Sequence, residues 1–218
     1  MKVLVLNGWA ASPQAWSLCG FKCDRIFSYL DHLNGVTAKA FEDEQEKVIL
    51  VGWSMGGSFA LRLALQNPSK VHALVLIATT ARMMKDENWP GMTERRLAAL
   101  EAGLRLTMGK GFGAFPEGAP NPYILDTDEN LARGLDYLRA TDLRSLLLEN
   151  KTALAHIETY IFQALRDPIV RKENADFLSS VFSLSKLEMI DSAEHALPIY
   201  IPKKIDSVLR NLGAEVRT

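Results

Sequence analysis

The sequence predicts a three-layer α/β sandwich built on a mostly parallel sheet of about six strands. Several candidate strands are continuously apolar rather than alternating, as in Ala73-Leu74-Val75-Leu76-Ile77. That pattern is typical of parallel strands that helices cover on both faces. Helical stretches separate most of the strands, so the order of elements indicates repeated βαβ units. The predicted strands span residues 2–6, 25–30, 48–52, 72–77, 157–162 and 186–190.

Residues 82–150 interrupt this alternation, because they contain no convincing strand. A helix is predicted over 93–108, where Leu97, Leu100, Leu104 and Met108 recur at helical spacing. Glu101 and Arg105 are spaced to form an ion pair across one turn of this helix.

Shorter helices are predicted near 128–138 and 142–150, after a loop rich in glycine and proline. We therefore expect residues 1–81 and 151–218 to form the core of the fold. Residues 82–150 are expected to form a helical cap inserted over the functional site.

Length and composition exclude several classes of protein. A chain of 218 residues is long enough for one domain with a substantial core. Its formal net charge of −1 gives no support for a nucleic-acid partner. No apolar run approaches the roughly 20 residues that span a bilayer, and the apolar N-terminus is too short for a signal peptide. We expect a cytoplasmic protein with no membrane partner.

The two cysteines, Cys19 and Cys23, do not indicate a disulfide framework. Their spacing, with no further soft ligand nearby, makes a poor zinc site. We expect both thiols to be reduced, and we expect neither a metal nor a cofactor.

The most informative motif is Gly52-Trp53-Ser54-Met55-Gly56, which follows the β-branched run from Val48 to Val51. In a G-x-S-x-G turn between a strand and a helix, the serine is strained and its Oγ is exposed. The flanking glycines are needed because a Cβ there would collide with the neighbouring chain. Ala60 and Ala64 allow the following helix to pack closely on a sheet. An incidental serine in a glycine-rich turn is the alternative, but this context favours Ser54 as a nucleophile.

A serine nucleophile needs a base and a residue that orients it. We interpret His32, His72 and His156 as surface or strand-end residues. His195 lies in a loop directly after the last predicted strand, where parallel sheets build their active sites. His195 is therefore the predicted base, and the alternative is a solvated loop histidine.

The orienting acid is expected between the serine and the histidine in chain order. Asp167 lies in the loop that follows the strand at 157–162. Asp191 is only four residues before His195 and is poorly placed to face the imidazole. Asp167 is therefore the predicted acid, and the alternative is a turn aspartate preceding Pro168.

The negative charge that develops on a substrate carbonyl would need two backbone N–H groups. One is predicted to come from Met55, directly after the nucleophile. The other is predicted to come from Trp9, in the loop after the first strand. Gly8 would let this loop approach the substrate closely.

Four segments of the chain together resemble the α/β-hydrolase fold. They are Asn-Gly-Trp after the first strand, Gly-Trp-Ser-Met-Gly-Gly at the turn, Asn-Pro-Ser-Lys-Val-His-Ala-Leu-Val-Leu-Ile-Ala after the helix, and Asp-Glu-Asn-Trp-Pro-Gly-Met further on. Within that fold they are most similar to the pimeloyl-[acyl-carrier protein] methyl ester esterases of biotin synthesis. The resemblance runs from Met1 to about Pro202.

The resemblance implies a catalytic triad of Ser54, Asp167 and His195, with Trp9 and Met55 at the oxyanion. It also implies that aromatic residues of the cap, Phe115 and Phe112, contact the acyl group. This family usually has a histidine where this chain has Asn7, and the resemblance implies a structural role for that position.

The implied reaction is hydrolysis of a short-chain acyl ester, with methanol as the leaving alcohol and an acyl-carrier protein as the possible carrier of the substrate. A basic cap would suit an acidic carrier, and a solvated helix face is the alternative. The competing enzymes of this fold are a general carboxylesterase or thioesterase and a menaquinone-pathway lyase. A non-catalytic binding protein would typically lack a member of the triad. The basic residues between 82 and 115 are Arg82, Lys85, Arg95, Arg96, Arg105 and Lys110, against the acidic Asp86, Glu87, Glu94 and Glu101.

Overall fold

The computed structural model describes residues 1–107 and 115–215 and contains a six-stranded sheet. Neighbouring strands are all parallel, in the order β2-β1-β3-β4-β5-β6. The predicted parallel sheet is therefore confirmed, and all six predicted strands are present. The strands are β1 (Lys2–Leu6), β2 (Arg25–Phe27), β3 (Val48–Trp53), β4 (Val71–Ile77), β5 (Glu158–Ala164) and β6 (Ser185–Ile190).

Helices cover the sheet on both faces, as the three-layer prediction requires. The helices are α1 (Tyr29–Leu33), α2 (Val36–Asp43), α3 (Met55–Gln66), α4 (Glu94–Leu106), α5 (Asp128–Ala140), α6 (Arg144–Glu149), α7 (Lys151–Leu154), α8 (Lys172–Val181), α9 (Leu197–Tyr200) and α10 (Pro202–Asn211).

Alternate residues of the central strands feed two separate cores. In β3, Val48 and Leu50 point into the core that contains α3 and α8, whereas Ile49 and Val51 point into the core that contains α10. All six residues of β3 are buried, which explains the continuous apolar run in the sequence. β6, at the edge of the sheet, alternates instead between exposed and half-buried residues over most of its length.

The second predicted strand is only half as long as expected. β2 ends at Phe27 because Ser28 begins helix α1. The Ser28 Oγ accepts the N–H of Asp31 at 3.2 Å, and the Asp31 carboxylate accepts the N–H of Ser28 at 2.8 Å. This capping box satisfies backbone donors at the helix start, so the chain turns into a helix where the sequence pattern predicted a strand.

The helix predicted over 93–108 is α4, which ends at Leu106. Its N-cap is Thr93, whose Oγ accepts the N–H of Arg96. The predicted pair between Glu101 and Arg105 is confirmed, with 2.6 Å between carboxylate and guanidinium. Helices α5 and α6 lie where the two shorter helices were predicted. The division of the chain into a core and a cap stays a prediction.

Two further predictions concern the thiols and the membrane. Neither Cys19 nor Cys23 forms a disulfide. Across residues 1–107 and 115–215, none of the helices combines the length and the apolar character that crossing a bilayer requires.

Candidate active site

Ser54 lies in a sharp turn between β3 and α3, with φ 55° and ψ −123°. A positive φ is costly for a residue with a Cβ, so neighbouring contacts must hold this turn. The Ser54 N–H donates to the carbonyl of Ile77 at 2.9 Å. The Thr79 hydroxyl donates to the Ser54 carbonyl at 2.6 Å. Strand β4 and the loop after it therefore fix the serine from the side.

Glycines on both sides of Ser54 allow the chain to pack this tightly. A Cβ on Gly52 would lie 2.5 Å from the Cα of Gly57, and a Cβ on Gly56 would lie 2.0 Å from the carbonyl oxygen of Leu6. The predicted collision at both flanking positions is therefore confirmed. Because only glycine fits, the turn presents the half-exposed Ser54 side chain at the carboxyl edge of the sheet.

His195 lies in the loop between β6 and α9, and its side chain is 5% exposed. Its Nδ1 lies 2.8 Å from Oδ2 of Asp167. Because a carboxylate only accepts hydrogen bonds, Nδ1 carries the proton and Nε2 is left as an acceptor. The His195 carbonyl accepts the indole N–H of Trp53 at 3.0 Å. Trp53, in the motif itself, thus braces the histidine loop, a contact that the sequence analysis missed.

Asp167 follows β5, and its side chain is 1% exposed. Its Oδ1 accepts the N–H groups of Ile169 and Val170 at 2.8 and 3.0 Å. Its Oδ2 also accepts from the amide of Gln163 at 3.3 Å. These donors orient the carboxylate toward His195. Asp191, the acid that the sequence analysis rejected, is exposed and pairs with Arg166 at 2.6 Å.

Gln163 is a further residue that the sequence analysis missed. It is completely buried on β5, although the residues around it in the strand are mainly apolar. A buried polar residue inside an apolar strand requires hydrogen-bond partners. That interruption of the pattern is the signal that could have revealed it, since its partners are Asp167 and the carbonyl of Val170 at 3.0 Å.

The loop after β1 faces the Ser54 turn closely. A Cβ on Gly8 would lie 3.0 Å from the Cβ of Ser54, so the backbone of this loop borders the Ser54 turn. In the described part of the chain, neither the backbone N–H of Trp9 nor that of Met55 donates to a protein acceptor. The geometry therefore leaves two amides available beside Ser54, at the positions where the sequence predicts oxyanion donors.

Tertiary contacts hold Trp9 in this loop. Its indole N–H donates to the carbonyl of Leu131 on α5 at 3.0 Å. Gly134 of the same helix lies against the ring, where a Cβ would come within 2.3 Å of Trp9 Cδ1. The carbonyl of Ala10 accepts the N–H of Ile124 at 2.8 Å.

His32 corrects the interpretation of the three other histidines as surface or strand-end residues. It is buried in α1, with Nε2 donating to the carbonyl of Asn7 at 3.1 Å and Nδ1 accepting from Thr37 at 2.7 Å. Burial lowers its pKa to about 4, although its bond to the Asn7 carbonyl partly opposes this shift. His32 is missed in the sequence because its neighbours form no regular apolar pattern.

Asn7 is also buried, and its Oδ1 accepts the indole N–H of Trp16 at 2.6 Å. The residue therefore joins the end of β1 to the turn that follows it. His32 and Trp16 together hold the residue immediately before Gly8.

Ser54 and His195 line one pocket, whose walls are mainly apolar. Tyr123 lies in this wall, and burial raises the pKa of its phenol, as do the charges of Asp167 and Glu194. It therefore remains neutral at physiological pH. The residues lining the pocket are Gly8, Trp9, Ala10, Trp53, Ser54, Met83, Leu100, Leu104, Tyr123, Leu138, Ile169 and His195.

Of the two predicted acyl-contacting aromatics, Phe115 lies among the described residues. It is half-buried and is not among the residues that line the pocket, and its ring centroid lies 6.3 Å from that of Tyr123, which does line it. Phe112 lies outside the described residues, as does Lys110. The sequence analysis missed Tyr123, Leu100 and Ile169, because their place in the wall depends on distant segments meeting.

Known proteins resemble this chain in sequence and in fold. A family model for the alpha/beta hydrolase fold matches residues 44–112. A pimeloyl-[acyl-carrier protein] methyl ester esterase from Nitrosospira multiformis is 30% identical, over 93% of this chain and 90% of that protein. An esterase of the same name from Legionella pneumophila strain Lens is 25% identical, over 89% of this chain and 87% of that protein.

Solved structures give the same fold at lower identity. An esterase from Exiguobacterium antarcticum has a TM-score of 0.73 at 21% identity, covering 97% of this chain and 91% of that one. An enol-lactonase from Burkholderia xenovorans has a TM-score of 0.71 at 15% identity, covering 97% and 90%.

Proposed function

This chain is a carboxylic ester hydrolase of the α/β-hydrolase family, and from that premise we propose that Ser54, His195 and Asp167 are its catalytic triad. The observation that carries the proposal is the 2.8 Å hydrogen bond from His195 Nδ1 to Asp167. It leaves Nε2 as an acceptor in the pocket that Ser54 also lines. A neutral imidazole in this tautomer is the form that removes a proton from a serine hydroxyl.

The proposed reaction proceeds through an acyl-enzyme. His195 Nε2 takes the proton of Ser54 as Oγ attacks the ester carbonyl, and the tetrahedral oxyanion forms. The oxyanion then collapses, the bond to the alcohol oxygen breaks, and His195 returns the proton to the departing alcohol. Water activated by the same histidine then cleaves the acyl-enzyme and restores Ser54.

The N–H groups of Trp9 and Met55 are the proposed oxyanion donors. Met55 is the first residue of α3, so its N–H has no partner inside the helix, and the helix dipole adds positive potential there. Each such donor contributes about 3–4 kcal/mol to the transition state in comparable sites.

We further propose that the substrate is a pimeloyl methyl ester presented by an acyl-carrier protein. Support comes from the names of the curated relatives and from the apolar pocket, which suits a methylene chain. A predicted basic cap is only partly available for a carrier, because Arg82 pairs with Asp142 and Arg105 with Glu101.

The first experiment tests the nucleophile. Ser54→Ala is expected to abolish hydrolysis of a short-chain p-nitrophenyl ester and to abolish covalent labelling by a fluorophosphonate. Ser69→Ala, at an exposed serine outside the pocket, is the matched control and should keep both. Unreduced turnover in Ser54→Ala would eliminate the proposed mechanism.

The second experiment tests the acid. Asp167→Asn should lower kcat by about 10⁴-fold with little change in KM, because the amide favours the wrong imidazole tautomer. Asp191→Asn is the matched control, since that carboxylate lies at the surface beside Arg166. Equal losses in the two variants would reject Asp167 as the orienting acid.

The third experiment tests the substrate. The gene should restore growth without biotin to a strain that lacks the pimeloyl-carrier methyl ester esterase, and the Ser54→Ala variant should not. Purified protein should also release methanol from the carrier-bound methyl ester. Hydrolysis of p-nitrophenyl esters without complementation would favour a general carboxylesterase instead.

A further inference from the structure

A buried histidine lies between the two segments that carry the proposed oxyanion donors. His32 Nε2 donates to the carbonyl of Asn7 at 3.1 Å, and its ring packs on that of Phe59 with 4.6 Å between the ring centroids. Asn7 lies two residues before Trp9, and Phe59 lies four residues after Met55, about one turn further along α3. The imidazole therefore contacts both segments at once.

The hydrogen bonds of His32 fix its tautomer. A carbonyl oxygen only accepts, so Nε2 carries the proton and Nδ1 accepts from the Thr37 hydroxyl at 2.7 Å. Both residues are buried, which strengthens these bonds because little water competes for them. The capping box of Ser28 and Asp31 begins α1, whose last turn carries His32. The N–H donor is therefore held from α1 and α2 and is directed at the Asn7 carbonyl.

Asn7 lies where strand β1 ends and the loop begins. β1 pairs with its neighbours as far as Leu6, and the N–H of Asn7 donates to the carbonyl of Phe27 at 3.0 Å. The Asn7 carbonyl lies against α3, since a Cβ on Gly56 would come within 2.7 Å of its oxygen. His32 therefore binds the chain at the boundary between the sheet and the loop.

The peptide that follows carries one of the proposed donors. The Gly8 carbonyl accepts the N–H of Ala11 at 3.2 Å. Because a peptide is planar and trans, the N–H of Trp9 points in the opposite direction. Gly8 has little conformational restraint of its own, so the residues around it must fix the plane of this peptide. Asn7 is its neighbour on the strand side, and His32 holds the Asn7 carbonyl.

We propose that His32 is a positioning residue for the reaction, because it sets the distance between the N–H groups of Trp9 and Met55. The bond to Asn7 places the first donor, and the contact with Phe59 places the helix that carries the second. These N–H groups stabilise an oxyanion only when both lie within hydrogen-bond distance of it. The proposal rests on the proposed function, since it takes those two amides as the oxyanion donors.

Two substitutions at His32 test its N–H donor. His32→Leu fills the space but removes the bond to the Asn7 carbonyl, so kcat for a p-nitrophenyl ester should fall by at least about 10-fold. KM should change by less than about 2-fold, because His32 is not among the residues that line the pocket. His32→Gln keeps an N–H donor with a similar reach and should restore kcat to within about 3-fold of the wild type.

His156→Leu is the matched control. The Nε2 of His156 also lies 3.1 Å from a carbonyl oxygen, that of Pro68, but this side chain is exposed and lies outside the pocket. Its substitution should leave kcat unchanged. Wild-type kcat in His32→Leu, or an equal loss of kcat in His32→Gln, would overturn the proposal.

His32→Asn is a milder variant, which decides the same point if His32→Leu does not fold. The asparagine amide reaches only as far as Nδ1 of histidine, so it can pair with Thr37 but not with Asn7. We expect kcat to fall by about 10-fold in this variant, and a folded His32→Asn protein with wild-type kcat would contradict the proposal.

A thionoester substrate distinguishes displaced oxyanion donors from general damage to the fold. Its sulfur accepts hydrogen bonds weakly, so its hydrolysis depends less on the two N–H groups. The ratio of kcat/KM for an oxoester to that for its thionoester should fall by at least about 5-fold in His32→Asn. An unchanged ratio, with both esters slowed alike, would assign His32 a structural role only and reject the proposal.

The same measurements separate this proposal from the proposed function. If hydrolysis of either ester persists in Ser54→Ala, the proposed function fails, and the role of His32 fails with it. If hydrolysis requires Ser54 but the ratio is unchanged in His32→Asn, only the role of His32 is rejected.

Discussion

Two backbone segments meet at the candidate site, and contacts with different parts of the fold hold each of them. The turn at Ser54 is held within the sheet, by its own glycines and by contacts with Leu6 of β1 and Ile77 of β4. The loop at Gly8 and Trp9 is held by distant residues, namely Leu131 and Gly134 of α5 on one side. The Ser54 turn therefore depends on strands that neighbour β3 in the sheet, whereas the loop at Gly8 and Trp9 depends on a helix outside the sheet, 122 positions away in the chain.

This difference has a functional consequence. A change in the position of α5 would move Trp9, whose backbone N–H is a proposed oxyanion donor, but would leave the Ser54 turn in place. The strain at the serine and the alignment of the loop should therefore respond to different substitutions.

The largest effect is expected at the Ser54 turn. Gly56→Ala should cost more than about 4 kcal/mol in the free energy of unfolding, because its Cβ would overlap the Leu6 carbonyl. Gly118→Ala is the control, since Gly118 has φ 75° but no atom within 4 Å of a Cβ. It should cost only about 1–2 kcal/mol, the price of a left-handed conformation. Urea denaturation measures both, and equal costs would refute the steric explanation.

The next effect concerns His32, which anchors the loop through the Asn7 carbonyl. Its pKa is lowered to about 4 in the folded protein, from 6.5 when unfolded. As the pH falls, the unfolded chain therefore binds a proton at His32 before the folded protein does. The contribution of His32 to the free energy of unfolding is complete above pH 6.5 and is lost as the pH falls toward 4. The total loss is about 3 kcal/mol.

The His32→Gln variant isolates this contribution, because it lacks the titrating imidazole. The difference in unfolding free energy between the wild type and this variant should shrink as the pH falls from 7 to 4. A difference that is independent of pH would show that His32 does not titrate as its burial indicates.

A smaller effect is expected from a substitution in α5, which packs against Trp9. Gly134→Ala should displace the Trp9 ring and lower kcat about 100-fold, since small misplacements of catalytic groups have such costs. KM should change less, because the pocket for the acyl chain lies mainly elsewhere. Glu129→Ala, on the exposed face of the same helix, is the control and should leave kcat unchanged.

Comparing the kcat of Gly134→Ala with that of Glu129→Ala tests whether α5 positions the loop at Gly8 and Trp9. If Gly134→Ala retains wild-type kcat while the protein stays folded, α5 does not position the oxyanion loop, and the contrast with the Ser54 turn disappears.

The smallest effect is expected from Trp9→Phe, which keeps an aromatic ring but removes the indole donor to Leu131. One hydrogen bond contributes about 0.5–1.5 kcal/mol, so kcat should fall by about 10-fold or less. Trp89→Phe is the matched control, because its indole N–H donates to Arg82 outside the pocket. A larger loss in the control than in Trp9→Phe would reject the proposed anchor.

The fold was largely predictable because its signals are short-range. Short apolar segments, several of them continuous, identified all six strands, and the spacing of Leu97 and Leu104 identified α4. The one strand predicted too long, at 25–30, failed because the Ser28 capping box overrides the apolar pattern.

The pocket was less predictable than the triad positions. The chain order of Ser54, Asp167 and His195 follows from the order of the strands that carry them. Phe115, in contrast, was predicted to contact the acyl group, but the residue that lines the pocket is Tyr123, whose ring centroid lies 6.3 Å from that of Phe115. Which aromatic faces the pocket depends on how residues 121–124 lie against the loop after β1, and no local pattern encodes that contact.

By itself, the sequence determined the parallel sheet, the glycine-lined turn at Ser54 and the strand ends that carry Asp167 and His195. Those features depend on backbone sterics and on apolar patterns within a few neighbouring residues. Only the tertiary structure decided that Trp53 braces the His195 loop, that Gln163 holds Asp167, and that α5 anchors Trp9. Such contacts join residues up to 142 positions apart, and their geometry exists only once the packed core has brought the strands and helices together.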